Sequence, residues 1–417
     1  MHLVGATEVN DADRLPFWVR PPVIVGAALL LRLVWAALVP VNPVSDGVLY
    51  DAFARSIVAG HGYAFPDGTL TEYWPVGTSA IYALLYHLFG VRPWVLSVFQ
   101  ALLGASIVAL TWRLARHALG PKVAAVAAWL TALWPLLIEF TTILASELLF
   151  IALVLTALNI WMSRRLPFAV RMIAWGASIA AATYVRPTAL PLLFIFPALQ
   201  WVADRDWRAL SKTCMLAGAT ALLLFAPWAY RSFVLFDRMV LVSANGGVNL
   251  WMGNNPESTG GYMELPARQF PNEVERDHYY GREAVNFILS HPLSYVKLSV
   301  RRVVTTYGRE TIGVVWNERG LGSRYNDASL VTLKRISSAY WWLVLALGLV
   351  GVVLVIRRRL VGALWPLLAA FVYFAAFPVL TVAMDRYHAP VDPLLAAFAA
   401  YALLWRENGK HPVAPDR

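Results

Sequence analysis

Apolar runs recur along the whole 417-residue chain, and short clusters of Arg and Lys punctuate them. A bilayer core about 30 Å thick takes roughly 20 apolar residues per helix. Ten runs approach that measure: 23–39, 94–112, 123–138, 148–161, 172–184, 189–202, 213–230, 339–356, 360–380 and 389–405. The composition agrees, with 59% apolar and 14% charged residues. A soluble domain is typically about 45–50% apolar and about 25% charged. These values exclude an ordinary soluble protein and a disordered chain, and the bilayer is the solvent they require. The formal charge of +10, from 35 Lys+Arg against 25 Asp+Glu, is no sign of nucleic-acid binding, because of where the charges fall. A single cysteine excludes an internal disulfide framework and a multi-Cys metal site. Cys214, at the start of a span, reads as a small buried residue.

The basic clusters set an orientation. Arg14 and Arg20 precede the first run; Arg113, Arg116 and Lys122 follow the second; Arg164, Arg165 and Arg171 follow the fourth. Arg205, Arg208 and Lys212 follow the sixth, Arg357, Arg358 and Arg359 the eighth, and Arg406 and Lys410 the tenth. All fall on one side if both termini are cytoplasmic, as short basic loops require. That parity makes the apolar stretch 76–90 a juxtamembrane or re-entrant helix on the outer side; as a full crossing it would need a compensating change elsewhere. The run 23–39 reads as a retained anchor, with no small-residue cleavage site after it. The expected organisation is a cytoplasmic segment 1–22 and an N-terminal membrane region 23–230 containing a first outer loop 40–75. A large outer loop 231–338, C-terminal membrane helices 339–405 and a cytoplasmic tail 406–417 follow. The helical pattern over 279–308 breaks at His291-Pro292, where proline cannot continue a helix.

Charges placed against this pattern are the candidates for chemistry. Ionised groups near hydrocarbon are costly and tend to be functional where they persist. Asp46 follows the first run; it reads either as an N-cap acid or as a functional carboxylate. Tyr50, four residues on, shares its face if the segment is helical. Glu147 starts a span, where the helix dipole favours an anion, and it is equally a site acid. Glu139 reads as an interfacial charge. Glu72 ends the first outer loop in Glu72-Tyr73-Trp74-Pro75, a segment that also suits an interface belt. Three arginines lie outside the cytoplasmic clusters: Arg32 within the first run, Arg186 at an outer helix end, and Arg386 beside Tyr387. Arginine forks suit phosphate, and pairing with a carboxylate or a lipid head group is the structural alternative. His61, His87, His278, His291 and His388 have no ligand-like spacing among themselves and read as interfacial or structural.

In order along the chain, these pieces resemble the polytopic GT-C glycosyltransferases of the dolichyl-phosphate-mannose protein mannosyltransferase and aminoarabinose-transferase type. The resemblance runs from Arg32 through Asp46-x-x-x-Tyr50, Gly60-His61-Gly62-Tyr63, Trp74-Pro75-Val76-Gly77 and Ala145-Ser146-Glu147. It continues through Arg186-Pro187-Thr188 and Asn249–Pro256 and ends at Asp385-Arg386-Tyr387-His388-Ala389-Pro390. It implies an all-α polytopic membrane protein, a GT-C-like bundle of about 10–11 transmembrane helices with a mixed periplasmic loop domain. It implies that Asp46 is the catalytic base and Glu147 the second outer-loop acid that positions the site. Several relatives carry a basic residue or a double proline near the position of Tyr73–Val76; neither stands here, so Arg186 or Arg386 must supply charge to the donor phosphate. Tyr50, Glu72 and Tyr387 complete the expected donor- and substrate-binding set.

The implied reaction transfers a sugar from a polyprenyl-phosphate donor to a lipid, glycan or protein acceptor at the outer face of a bacterial inner membrane, by one inverting displacement. The polyprenyl phosphate leaves already charged, so no metal is obligatory; a divalent ion is compatible with the chemistry but no ligand spacing in the sequence supports one. Two other classes compete with it. A transporter or flippase of lipid-linked sugars should show inverted repeats or paired broken helices, and the sequence has neither. A non-catalytic scaffold on a GT-C body would keep the fold without the chemistry.

Overall fold

The computed structural model describes residues 16–322 and 324–405. Arg14, Arg406, Lys410, the tail 406–417 and most of the segment 1–22 lie outside the described residues. The chain is helical from end to end: α1 (Pro21–Leu38), α2 (Asp46–Val58), α3 (Gly77–Phe89), α4 (Pro93–Leu119), α5 (Pro121–Ala132), α6 (Pro135–Glu139) and α7 (Glu147–Trp161). Then come α8 (Phe168–Val185), α9 (Leu192–Asp204), α10 (Trp207–Phe236), α11 (Gly246–Gly253), α12 (Glu273–Ser290) and α13 (Pro292–Tyr307). The series ends with α14 (Ile312–Gly322), α15 (Asp327–Arg357), α16 (Val361–Leu380) and α17 (Asp392–Leu403). Proline opens α1, α4, α5, α6 and α13, where its missing N–H costs nothing. Asp206, Asn272 and Asn326 cap α10, α12 and α15 by accepting from backbone N–H groups of the first turn.

The ten apolar runs all fall on helices, of several kinds; the run 189–202 falls on α9, 13 residues long with Pro197 inside it. Six helices (α1, α4, α8, α10, α15 and α16) are long and apolar enough to cross a bilayer. The run 123–138 is bent by 57° between α5 and the α6 segment, so that α5 and α6 together make at most one further span. The break falls before Pro135, which cannot donate the next helical hydrogen bond. The runs at α7 and 389–403 are shorter, and they are buried on nearly every side, as at Leu148, Phe150, Leu394 and Phe398. Short helices serve there because protein, not lipid, surrounds them. α17 packs against α15 and α5, and α7 against α4 and α8. The α15–α17 contact is backbone-close: a Cβ at Gly351 would come within 2.0 Å of the Phe398 carbonyl oxygen. The stretch 76–90 forms α3, 13 residues long, against α2, α4 and α8.

The segment between α10 and α15, expected as a large outer loop of mixed structure, is helical instead. It is built from α11 to α14, and among the described residues the only β pairing is two isolated bridges. α12 does end at Ser290 and α13 does begin at Pro292, as the His291-Pro292 break requires. Cys214 departs as well: it is exposed, on an outward face of α10 that also carries Met215, Leu222 and Leu223. On a helix bordering lipid, exposure is what a small apolar residue tolerates, so span position alone does not bury it. Arg32 is fully buried and donates to the carbonyls of Ala28 (3.1 Å) and Ala132 (3.2 Å), the latter at the C-terminal end of α5. That is where a helix dipole accepts a cation.

Candidate active site

Four charged side chains from four parts of the chain meet at one point. Asp46 is the first residue of α2, and the preceding Ser45 holds φ at +49°, a sparsely populated conformation for a residue with a Cβ. The next residue, Gly47, lies against the chain before α7: a Cβ there would be 2.6 Å from the Leu144 carbonyl oxygen. This approach brings Asp46 beside Glu147, the first residue of α7. Arg186 caps the C-terminus of α8, and Arg386 comes from the turn between α16 and α17.

The guanidinium of Arg386 bridges the two acids. Its Nη2 donates to Asp46 Oδ2 at 2.6 Å and its Nη1 to Glu147 Oε1 at 3.0 Å. Arg186 also donates to Glu147 Oε1, and through Nε to Ser146 Oγ at 2.8 Å. Two carboxylates therefore face two guanidiniums in a charge-balanced chain, Asp46–Arg386–Glu147–Arg186. Exposure falls toward its middle: the side chain of Asp46 is 29% exposed and Arg186 18%, while Arg386 is 5% and Glu147 2%. Asp46 is the carboxylate that the outside can reach, and Arg186 is the more accessible guanidinium. Arg386 is held high in pKa: burial pulls it down, and Glu147 and Asp46 more than offset that pull.

Aromatic rings wall the cluster. Trp316 lies 4.4 Å from the Arg386 guanidinium, and Tyr387 lies within 6 Å of both arginines (5.5 and 5.8 Å). Tyr50 is buried beside Ser146, and its hydroxyl is pushed up by burial and by the neighbouring Asp46. Six of the seven expected site residues, Asp46, Tyr50, Glu147, Arg186, Arg386 and Tyr387, are thus brought together. The seventh is elsewhere. Glu72 is fully buried against Arg231, which donates to it at 2.9 Å, and Ser232. Burial raises its pKa despite both donors. The backbone N–H of Glu72 donates to Glu273 of α12, and its carbonyl accepts from Ala244, so this knot ties the first outer loop to the long one. Sequence reasoning missed Trp316, Ser146 and the Arg231 partner, none of which carries a local signal. His388 is not interfacial; it is fully buried between Glu310 and Asp392.

A family profile described as dolichyl-phosphate-mannose-protein mannosyltransferase matches residues 74–230, from the end of the first outer loop through most of α10. Among solved structures the chain is similar to ArnT from Cupriavidus metallidurans bound to undecaprenyl phosphate (TM-score 0.55, 16% identity, 93% of this chain and 61% of that one). It is similar also to the archaeal oligosaccharyltransferase AglB from Archaeoglobus fulgidus in complex with an inhibitory peptide and a dolichol-phosphate (TM-score 0.55, 16% identity, 96% and 52%). The fold is the GT-C fold. The chain spans about three fifths of the ArnT chain and about half of the AglB chain. No curated protein sequence matches it.

Another structure of the Archaeoglobus fulgidus oligosaccharyltransferase is a complex with Zn and sulfate (TM-score 0.53, 15% identity, 93% and 50%). In this chain Asp46 and Glu147 both converge on Arg386, whose two Nη atoms fill the space between the carboxylates.

Proposed function

We propose that the protein is an integral-membrane glycosyltransferase that moves a sugar from a polyprenyl-phosphate donor to a lipid, glycan or protein acceptor by inverting displacement. The observation that carries this reading is the Asp46–Arg386–Glu147–Arg186 chain, with an accessible carboxylate at one end and an accessible guanidinium at the other. The named lipid phosphates of the ArnT and AglB complexes support the donor class.

In this reading Asp46 accepts the proton of the acceptor hydroxyl or amine as that group attacks the anomeric carbon. The new bond forms on one face while the bond to the phosphate oxygen breaks on the other, and the electron pair leaves with the polyprenyl phosphate. Arg186 receives the phosphate charge, since it is the more exposed guanidinium and already lies at the site. Arg386 fixes Asp46 Oδ2 and so aims the carboxylate. Glu147 holds both arginines at the spacing they need. Tyr50 and Tyr387 shape the walls, and Glu72 holds the first outer loop over the site. The site opens on the outer face of the inner membrane, where a membrane-dissolved donor and the acceptor meet.

The test is transfer by the purified protein in lipid nanodiscs. It is given undecaprenyl-phosphate-linked mannose, glucose, arabinose or aminoarabinose, with membrane lipid extract or a peptide pool as acceptor. Asp46→Asn should cut transfer by about 10²–10⁴-fold, the usual range for a positioned general base. The fold should persist, since Asn keeps the shape and the N-terminal position. Full transfer by that variant would remove Asp46 from the mechanism. Movement of intact donor between leaflets without covalent transfer would point to a carrier instead.

A further inference from the structure

Directly behind the arginine turn lies a second polar cluster that the transfer chemistry does not use. Glu310 comes from the turn between α13 and α14, His388 from the turn before α17, and Asp392 is the first residue of α17. All three are fully buried. His388 Nδ1 lies 2.9 Å from Asp392 Oδ1, and its Nε2 lies 3.8 Å from Glu310 Oε2, beyond a hydrogen bond. Trp134 Nε1 donates to Glu310 Oε2 at 2.9 Å, and the Trp341 ring stacks on the imidazole at 4.0 Å. Every ion pair described for the two acids is with His388. The nearest arginine in sequence, Arg386, turns instead to Asp46 and Glu147.

Two buried carboxylates without a guanidinium or ammonium group must be neutralised by something, because an ionised carboxylate in a low-dielectric interior costs several kcal/mol. Protons on both acids remove the charge but leave polar atoms stranded. Glu310 Oε1, His388 Nε2 and Asp392 Oδ2 are each buried and each lack a hydrogen-bond partner. A proton on Glu310 Oε2 would face His388 Nε2 across 3.8 Å, beyond a hydrogen bond, and one on Oε1 has no acceptor. A cation answers the charge and the stranded atoms together. One donor atom from each residue lies within 4.8 Å of the other two. Ligands at about 2.0–2.2 Å from one ion sit roughly 3–4 Å apart, so side-chain adjustment of about 1 Å closes the set.

We infer that Glu310, His388 and Asp392 bind a divalent transition-metal ion, of the Zn²⁺ or Mn²⁺ kind, that pins the Asp385–His388 turn to α14 and α17. One imidazole with two carboxylates suits such an ion better than Ca²⁺ or Mg²⁺, which take all-oxygen shells. The ion's role is structural: it holds the turn from which Arg386 reaches the acids, and it touches no substrate.

The experiment measures metal rather than transfer, so it stands apart from the glycosyltransferase reading. The full chain is purified in nanodiscs from cells grown with added Zn²⁺ and Mn²⁺, washed with a weak chelator and analysed for elements. On the order of one ion per chain is expected. 1,10-Phenanthroline should lower its Tm, and Zn²⁺ should restore it. Glu310→Gln and Asp392→Asn should bring the metal to background and lower Tm. Those amides are also close mimics of neutral acids, so a site held by protons alone would leave both variants as stable as the parent. Co²⁺ exchanged into the parent should give visible d–d absorption that His388→Gln abolishes. Metal at background in the parent, with no Tm response to Zn²⁺, Mn²⁺ or chelator, overturns the inference; so does unchanged stability of both amide variants.

Discussion

Arg386 and His388 leave one short turn two residues apart and enter clusters of opposite electrostatic kind. On the Arg386 side two carboxylates meet two guanidiniums, the charges cancel, and the edge of the cluster is open at Asp46 and Arg186. On the His388 side two carboxylates meet one imidazole and nothing is open; three polar atoms there have no partner, against Glu147 Oε2 and Arg386 Nε on the other side. A buried charge can be met by a side chain the protein encodes or by an ion it recruits. The first solution leaves groups that can be displaced by substrate. The second fixes a turn and leaves nothing free to react. The proposed transfer chemistry rests on the first cluster and the proposed metal on the second.

The largest effect should come from breaking the encoded solution at its centre. Arg386→Met leaves Glu147 with Arg186 alone and Asp46 without a guanidinium. Transfer should fall by about 10³-fold or more, equivalent to about 4 kcal/mol of transition-state stabilisation. Metal content should remain at the parent level, because His388 keeps both partners. Kinetics and elemental analysis on one preparation check both halves. Loss of metal in this variant would mean that the two clusters are one unit.

Much of the first cluster is legible in the sequence and little of the second. Asp46, Glu147, Arg186 and Arg386 stand out because each is a charge where the hydropathy and positive-inside patterns do not call for one. The runs behind the helices are legible for the same reason: apolar length is a local property. What sequence pattern does not carry is the partner. Arg231 meets Glu72 across 159 positions, and Glu310 meets His388 across 78. His388 and Asp392 are four apart, but Pro390 and Pro393 hide the helical spacing that would pair them. Nor does run length separate a helix that spans lipid from one sheathed in protein. The shortness of α7 and α17 is explained only by their neighbours.

A smaller effect is expected at the knot between the outer loops, which resembles the site in chemistry but not in access. Arg231→Met leaves Glu72 fully buried with only Ser232 to meet its charge. Breaking such a pair typically costs about 3 kcal/mol or more. The sign of the pH dependence follows from the raised pKa of Glu72 in the fold. The folded state holds the proton more tightly than the unfolded state, so stability falls as pH rises above about 4.3, the ordinary glutamate value. Losing Arg231 raises that pKa further. The variant should therefore lose more stability at pH 8 than at pH 5, relative to the parent. Denaturation followed at both pH values checks this, and an equal loss at the two would remove Glu72 ionisation from the explanation.

The smallest effect marks the lower end of the scale. Arg238, just after α10, donates to Glu275 of α12 at 3.1 Å, with side chains 54% and 37% exposed. The pair joins the same two regions as Arg231 and Glu72, but in reach of water. Exposed pairs contribute about 0.2–1 kcal/mol and are screened by salt. Glu275 also has a second source of support. It sits in the first turn of α12, where its N–H donates to the capping Asn272 and the helix dipole favours an anion. Arg238→Ala should therefore cost less than about 1 kcal/mol, and the difference should shrink between low and high salt. If it cost as much as Arg231→Met, burial would not be what separates strong from weak charge pairs in this protein, and the contrast between the two clusters at Arg386 and His388 would lose its physical basis.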